Sequence, residues 1–244
     1  MEAADIKGLL GLLLVDGSLS QYSTPQGGYI QLVLTSGILQ SAFLEEKVAE
    51  FRQFIPTEAR IVPYRSKARY TSMPNAQGVV DEGPRFTTVL RFRVSTNKLR
   101  PIYNLLYPNG EKQITETVLS LLGASAAAWV WAEGARLNRD GSVTLTRAGT
   151  TDLEAYLISQ WFQLLTGGES KEELDNNKAR PRLLFSSSEA QKTASILLPY
   201  APQSRIHKFK FNSDDSSANE DSSFVLPRQG EHDNSWQQEE ASVA

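Results

Sequence analysis

The 244-residue sequence predicts an α+β protein built from two related halves, and three observations carry that prediction. The first is a matched pair of segments. Gly8 to Gly17 (GLLGLLLVDG) and Ser125 to Gly134 (SAAAWVWAEG) each run from small and bulky apolar residues into an acid and then a glycine. Counted back from Asp16 and Glu133, small residues coincide at Gly11 and Ala128, and again at Gly8 and Ser125. Positions three apart share a helix face, and small residues there let two backbones approach closely. The two segments are therefore expected as helices packed side by side, with their terminal carboxylates brought together. The second observation is that strand-like and helix-like segments follow each acid in the same order. The third is an apolar content of 40%, ordinary for a globular chain and ample for a core at this length.

The elements follow in order. Tyr29 to Leu34 alternates apolar and polar residues behind the Gly27-Gly28 turn and is a predicted strand. Ser41 to Phe54 has amphipathic helical spacing and stops before Pro56. Arg60 to Ser72 and Arg85 to Ser95 are two further strands with polar or basic residues at alternate positions. Lys98 to Tyr107 is a helix halted by Pro108-Asn109-Gly110.

The second half is shorter. A helix over Ala124 to Glu133 leads through the Asn138-Arg139-Asp140-Gly141 turn to a strand over Ser142 to Arg147. Thr151 to Thr166 is helical, capped by Thr150 or Thr151; Arg180 to Ser187 is a strand; Glu189 to Leu198 is a helix ended by Pro199. Self-similarity on this scale predicts a pseudo-two-fold arrangement rather than a solenoid. The expected boundaries are a first repeat over 1–110, a second over 111–211, and an acidic tail over 212–244 whose Ser, Asp, Glu, Gln and Asn content reads as disorder.

The net charge of −3 conceals an uneven distribution. From Asn212 onward there are eight acids against Arg228 alone, so the remaining body holds 24 basic and 20 acidic residues, a charge of +4. Between Arg60 and Arg100, nine basic residues face only Asp81 and Glu82. Such a local field is the electrostatic footprint of phosphate binding. Absence of cysteine excludes a disulfide framework and a thiolate metal site. The apolar run over 8–15 is too short to span a bilayer, and Glu2, Asp5 and Asp16 oppose a secretory leader, so no membrane partner is expected. Two neighbouring carboxylates suit divalent metal ions placed over a phosphate.

An acid-glycine terminus on a small-residue helix, repeated once with strand and helix material between, resembles the LAGLIDADG homing endonucleases. Leu9 to Gly17 aligns with that motif without gaps and keeps Gly11, Leu12, Asp16 and Gly17. The second helix resembles the LAYWFMDDG variant of the single-chain, intron-encoded branch, keeping Ala127, Trp129 and Gly134. Gly110 to Ile114 (GEKQI) is similar to the N-K-K-T-I stretch before the second motif, and Pro202 to Phe209 (PQSRIHKF) to the P-Q-M-M-Y-K-L ending of the second repeat. The likeness covers roughly residues 5 to 210.

The resemblance implies two αββαββα repeats with curved antiparallel sheets set in the major groove of double-stranded DNA. It also implies a monomer that cuts a long asymmetric target site with Mg²⁺ or Mn²⁺. The family's metal-binding acids fall on Asp16 and Glu133, and its basic active-site residues on Lys112 and Lys208. Arg65, Lys67 and Arg69 are spaced by two, as are Arg91 and Arg93, and Arg180 and Arg182; with Arg147 these are the candidate DNA-binding residues.

Two departures stand out. Ala132-Glu133 replaces the usual Asp-Asp, which lengthens one ligand by a methylene, and His207 replaces an aromatic before the last lysine. A degenerate DNA-binding remnant is accordingly one alternative reading; a group I intron RNA maturase, with intron RNA as partner, is another that the same scaffold can support. The likeness is compatible with an organellar or a bacterial source. Other features read plainly: Trp129 and Trp131 as packing residues, His207 and His232 as too few and too distant for zinc, and Gly8 and Gly11 as no nucleotide loop.

Overall fold

The computed structural model describes residues 10–25, 27–52, 58–68, 85–146, 149–174 and 181–211. Gly8, Arg69, Arg147, Arg180, the tail from Asn212 and the side chain of Lys67 lie outside the described residues. The first half runs α1 (residues 10–15), β1 (Ser18–Thr24), β2 (Gly27–Gly37), α2 (Ser41–Phe51), β3 (Ile61–Ala68), β4 (Arg85–Thr96) and α3 (Arg100–Leu106). After a short α4 (Glu116–Ser120), the second half runs α5 (Ala124–Gly134), β5 (Ala135–Leu137), β6 (Val143–Leu145), α6 (Asp152–Thr166), β7 (Lys171–Leu174), β8 (Pro181–Phe185) and α7 (Ser187–Leu197). A 3₁₀ segment over Gln203–Phe209 follows.

Each half forms one antiparallel four-stranded sheet, ordered β1-β2-β4-β3 in the first and β5-β6-β8-β7 in the second. Identical strand order is the internal symmetry that the repeated segments predict, and the fold is the expected α+β architecture. Four elements, β1, β5, β7 and α4, are not marked by any segment of the residue pattern, although the αββαββα repeat implied by the resemblance calls for the three strands. They are short or polar, and tertiary pairing rather than their own periodicity fixes them.

The core lies between sheets and helices. In β2, Ile30, Leu32 and Leu34 are fully buried while their alternate neighbours are half-exposed, and β4 adds Phe92 and Val94 on the same side. In the second half, Trp131 meets Phe185 edge-on at 5.2 Å, with Phe162 at 6.1 Å. Helix α5 buries nearly all of its residues, from Ala126 to Ala132, which marks a helix surrounded by protein on every side.

A full capping box starts α6. Thr151 accepts from the amide of Glu154, and the Glu154 carboxylate accepts in return from the Thr151 amide. That carboxylate also accepts from the buried Ile114 amide at 2.8 Å, which ties the approach to the second motif onto α6.

Candidate active site

Glycine geometry places the two acids. A Cβ on Gly11 would lie 2.4 Å from the Ala126 Cβ and 2.5 Å from its Cα, so α1 and α5 touch backbone to backbone at this point. Gly11 therefore permits the close approach its spacing predicts, although it faces Ala126 rather than its counterpart Ala128. Gly17 adopts φ +77°, a left-handed turn that swings the chain from α1 into β1. Gly134 lies against the strand instead: a Cβ there would meet the Thr146 carbonyl oxygen at 2.4 Å. The same glycine therefore serves two different needs in the two motifs.

The consequence is convergence of Asp16 and Glu133. Asp16 is buried, and the side chain of Glu133 is 14% exposed. Between them sits the ammonium of Lys47, 2.5 Å from Asp16 Oδ2 and 2.7 Å from Glu133 Oε2. Those two distances put the carboxylate oxygens no more than 5.2 Å apart. Lys47 is 2% exposed, and its Nζ lies 4.2 Å from the centroid of Phe43. Burial opposes its charged form, but the fields and hydrogen bonds of Asp16 and Glu133 outweigh burial and hold the ammonium above the ordinary lysine value.

Sequence reasoning does not single out Lys47, yet a trace of it is present. The buried face of α2 is Phe43, Leu44, Lys47, Val48 and Phe51, so a lysine stands inside an apolar stripe. Lysine is almost never fully buried unless paired. Helix α2 is also clamped to the end of the second repeat. Glu46 accepts from the Ser204 amide at 3.0 Å and from its hydroxyl at 2.8 Å, and the Arg205 guanidinium lies 4.6 Å from the Phe43 ring.

The expected lysines occupy connecting segments. Lys112 is half-buried between α3 and α4. Lys208 is half-buried in the 3₁₀ segment that packs on α5, where its carbonyl accepts from Trp131 Nε1 at 3.0 Å. Trp131 is thus both core and anchor for the segment bearing Lys208.

Strand register sorts the arginines. Cross-strand partners share a face, and successive residues alternate. On β4, Arg91 and Arg93 point away from the buried Phe92 and Val94; Arg93 and Ser95 are exposed, and Arg91 stacks 3.7 Å over Tyr64. Arg65 pairs with Thr88, which places it on the face opposite Arg91 and Arg93, where both Arg65 and Thr88 are exposed. In the second sheet, Arg182 shares the open face with Glu173, its partner in register. The pairings Arg136 with Thr144, Thr144 with Leu184, and Lys171 with Leu184 add Arg136 and Lys171 to that face. The sequence gives no cue for these two, because β5 and β7 are too short to show a period.

Among the described residues, no group of three or more His, Cys, Asp or Glu side chains gathers, and no helix is long and apolar enough to cross a membrane. A divalent ion at Asp16 and Glu133 would take two ligands from protein and the rest from water and phosphate. That is the usual habit of Mg²⁺, so the converging acidic pair fits such an ion.

The model of the LAGLIDADG DNA endonuclease family matches residues 6–192. Among solved structures, the homing endonuclease I-WcaI bound to its DNA recognition sequence superposes with a TM-score of 0.66 at 13% identity, covering 86% of this chain and 88% of that one. A doubly substituted I-DmoI, in complex with its target DNA nicked in the coding strand and in the presence of manganese, gives a TM-score of 0.51 at 14% identity, covering 82% and 98%. These two structures share the fold. A search of curated proteins finds no match.

Proposed function

We propose that this chain, which belongs to the LAGLIDADG DNA endonuclease family, is a site-specific, Mg²⁺-dependent endonuclease of the intron-homing type that cuts both strands of a double-stranded target. One observation carries the reading. Two carboxylates, one buried and one largely enclosed, each at the helix end just before the first strand of its sheet, converge within reach of a single ammonium. One chain supplies both acids, which supports action as a monomer.

In this reading Asp16 and Glu133 hold the metal, one from each repeat. Magnesium, or manganese in its place, supplies Lewis-acid activation of water and of the leaving oxygen. Overall, water oxygen bonds to phosphorus, one P–O ester bond breaks, and a phosphate and a hydroxyl remain. Lys112 and Lys208 orient the attacking water and offset charge as it builds on the phosphate. Near-complete enclosure of Asp16 by protein strengthens its charge interactions relative to bulk water.

The open faces of the two sheets grip DNA. In the first sheet Arg91, Arg93 and their neighbours on β4 would read the target. Arg182, set opposite Glu173, offers a weaker positive field.

The experiment is cleavage of the uninterrupted host locus with Mg²⁺ by wild type and by Asp16→Asn. Double-strand cuts by wild type alone are expected, and identical behaviour of the two proteins would refute the assignment. A binding-only remnant is the second reading, favoured by the ammonium that already bridges the acids. Tight DNA binding without any Mg²⁺-dependent cut or nick would select it.

A further inference from the structure

We infer that Lys47 is a tethered counter-ion that competes with the divalent metal for the Asp16–Glu133 pair, so that DNA and metal load together rather than metal first. The inference rests on the reading of those two acids as metal ligands. Its starting point is geometric. The Lys47 ammonium touches one oxygen of each carboxylate, at 2.5 and 2.7 Å, and thereby takes the position from which one cation bridges both acids. An ion coordinated by those same oxygens at metal distances of about 2.0–2.1 Å cannot share that position with an ammonium.

The placement is held by three further observations. Lys47 is 2% exposed, so its charge has no ready access to bulk water. Phe43, one turn before it on α2, presents its ring face to the Lys47 ammonium and also to the Arg205 guanidinium. Helix α2 is fastened to the second repeat by both oxygens of Glu46 on Ser204. The ammonium is therefore delivered by a fixed helix instead of sampled by a loose side chain.

Charge balance gives the direction of the coupling. Asp16, Glu133 and Lys47 alone sum to one negative charge, and Lys112 and Lys208 of the proposed site add positive charge around them. A divalent ion arriving without an anion therefore piles positive charge into a nearly closed site, an unfavourable outcome at low local dielectric. Each phosphodiester of bound DNA offsets one unit of that charge. The backbone of bound DNA therefore makes room electrostatically for a metal ion and a displaced Lys47 at the same time. In the DNA-free protein, Lys47 holds the pair and keeps metal affinity low.

The test is a titration of DNA-free protein with MnCl₂, following free Mn²⁺ by electron paramagnetic resonance, for wild type, Lys47→Met and Lys47→Met/Asp16→Asn. Thermal unfolding with Mn²⁺ and with chelator runs in parallel. Expected is saturable binding by Lys47→Met at least about tenfold tighter than wild type, lost on adding Asp16→Asn. Wild-type binding as tight as that of Lys47→Met overturns the competition while leaving the acids as metal ligands. Tight binding that survives Asp16→Asn overturns both the competition and the metal assignment. Should Lys47→Met unfold in chelator, refolding by Mn²⁺ supports the inference, because the metal then replaces the missing cation; a variant that Mn²⁺ does not restore overturns it.

Discussion

Replacing Gly11 by alanine tests the helix contact on which the acidic pair depends. The added Cβ would lie 2.4 Å from the Ala126 Cβ, 2.5 Å from the Ala126 Cα and 2.9 Å from its carbonyl oxygen. Carbon atoms pack best at about 3.5–4.0 Å, so α1 and α5 must separate by about 1 Å or more. Two of the three obstructing atoms are backbone, and no rotamer change relieves them. Overpacking of this kind costs about 1–3 kcal/mol. For a chain of this size that lowers the melting temperature by roughly 2–12 °C.

Displacement also reaches the site, since Asp16 follows Gly11 by about 7.5 Å of helix rise. The assay is urea unfolding of wild type, Gly11→Ala and Gly11→Ala/Ala126→Gly. Removing the Ala126 methyl is expected to restore only part of the lost stability, because the Cα and carbonyl oxygen remain in the way. A Gly11→Ala protein within about 0.5 kcal/mol of wild type would refute the close approach.

Other consequences follow from single side chains. Glu154→Ala strands the buried amide of Ile114 and removes the acceptor for Thr150, and is expected to cost about 2–3 kcal/mol in the same unfolding assay. Arg93→Ala is expected to weaken binding of target duplex by about 1–3 kcal/mol at fixed salt. Arg65→Ala, on the opposite face, should stay within about twofold of wild type by fluorescence anisotropy.

Much of this architecture was legible in the residues, for identifiable reasons. Alternation at Ile30, Leu32 and Leu34 marks β2 because one face of that strand is fully buried. The Thr151 cap is readable because a threonine three residues before a glutamate satisfies the free amides of a helix start. Paired acid-glycine termini point to converging carboxylates, since small residues on one face permit the approach. Three things lay beyond local pattern. Strands such as Ala135–Leu137 and Lys171–Leu174 exist only through their partners. The face of Arg65 depends on the register of β3 on β4, which spacing along one strand cannot fix. Lys47 acquires its role from acids 31 and 86 positions away in the chain, carried on two other helix ends.

The central claim is that Asp16 and Glu133 form one centre from two repeats. Strand-resolved cleavage of the target duplex in Mg²⁺ by wild type, Asp16→Asn and Glu133→Gln addresses it most directly. Loss of a metal-holding carboxylate is worth several kcal/mol of transition-state stabilisation, so each variant should slow cleavage by about 10²-fold or more on at least one strand while still binding the duplex. Wild-type cleavage rates on both strands in either variant would contradict the account.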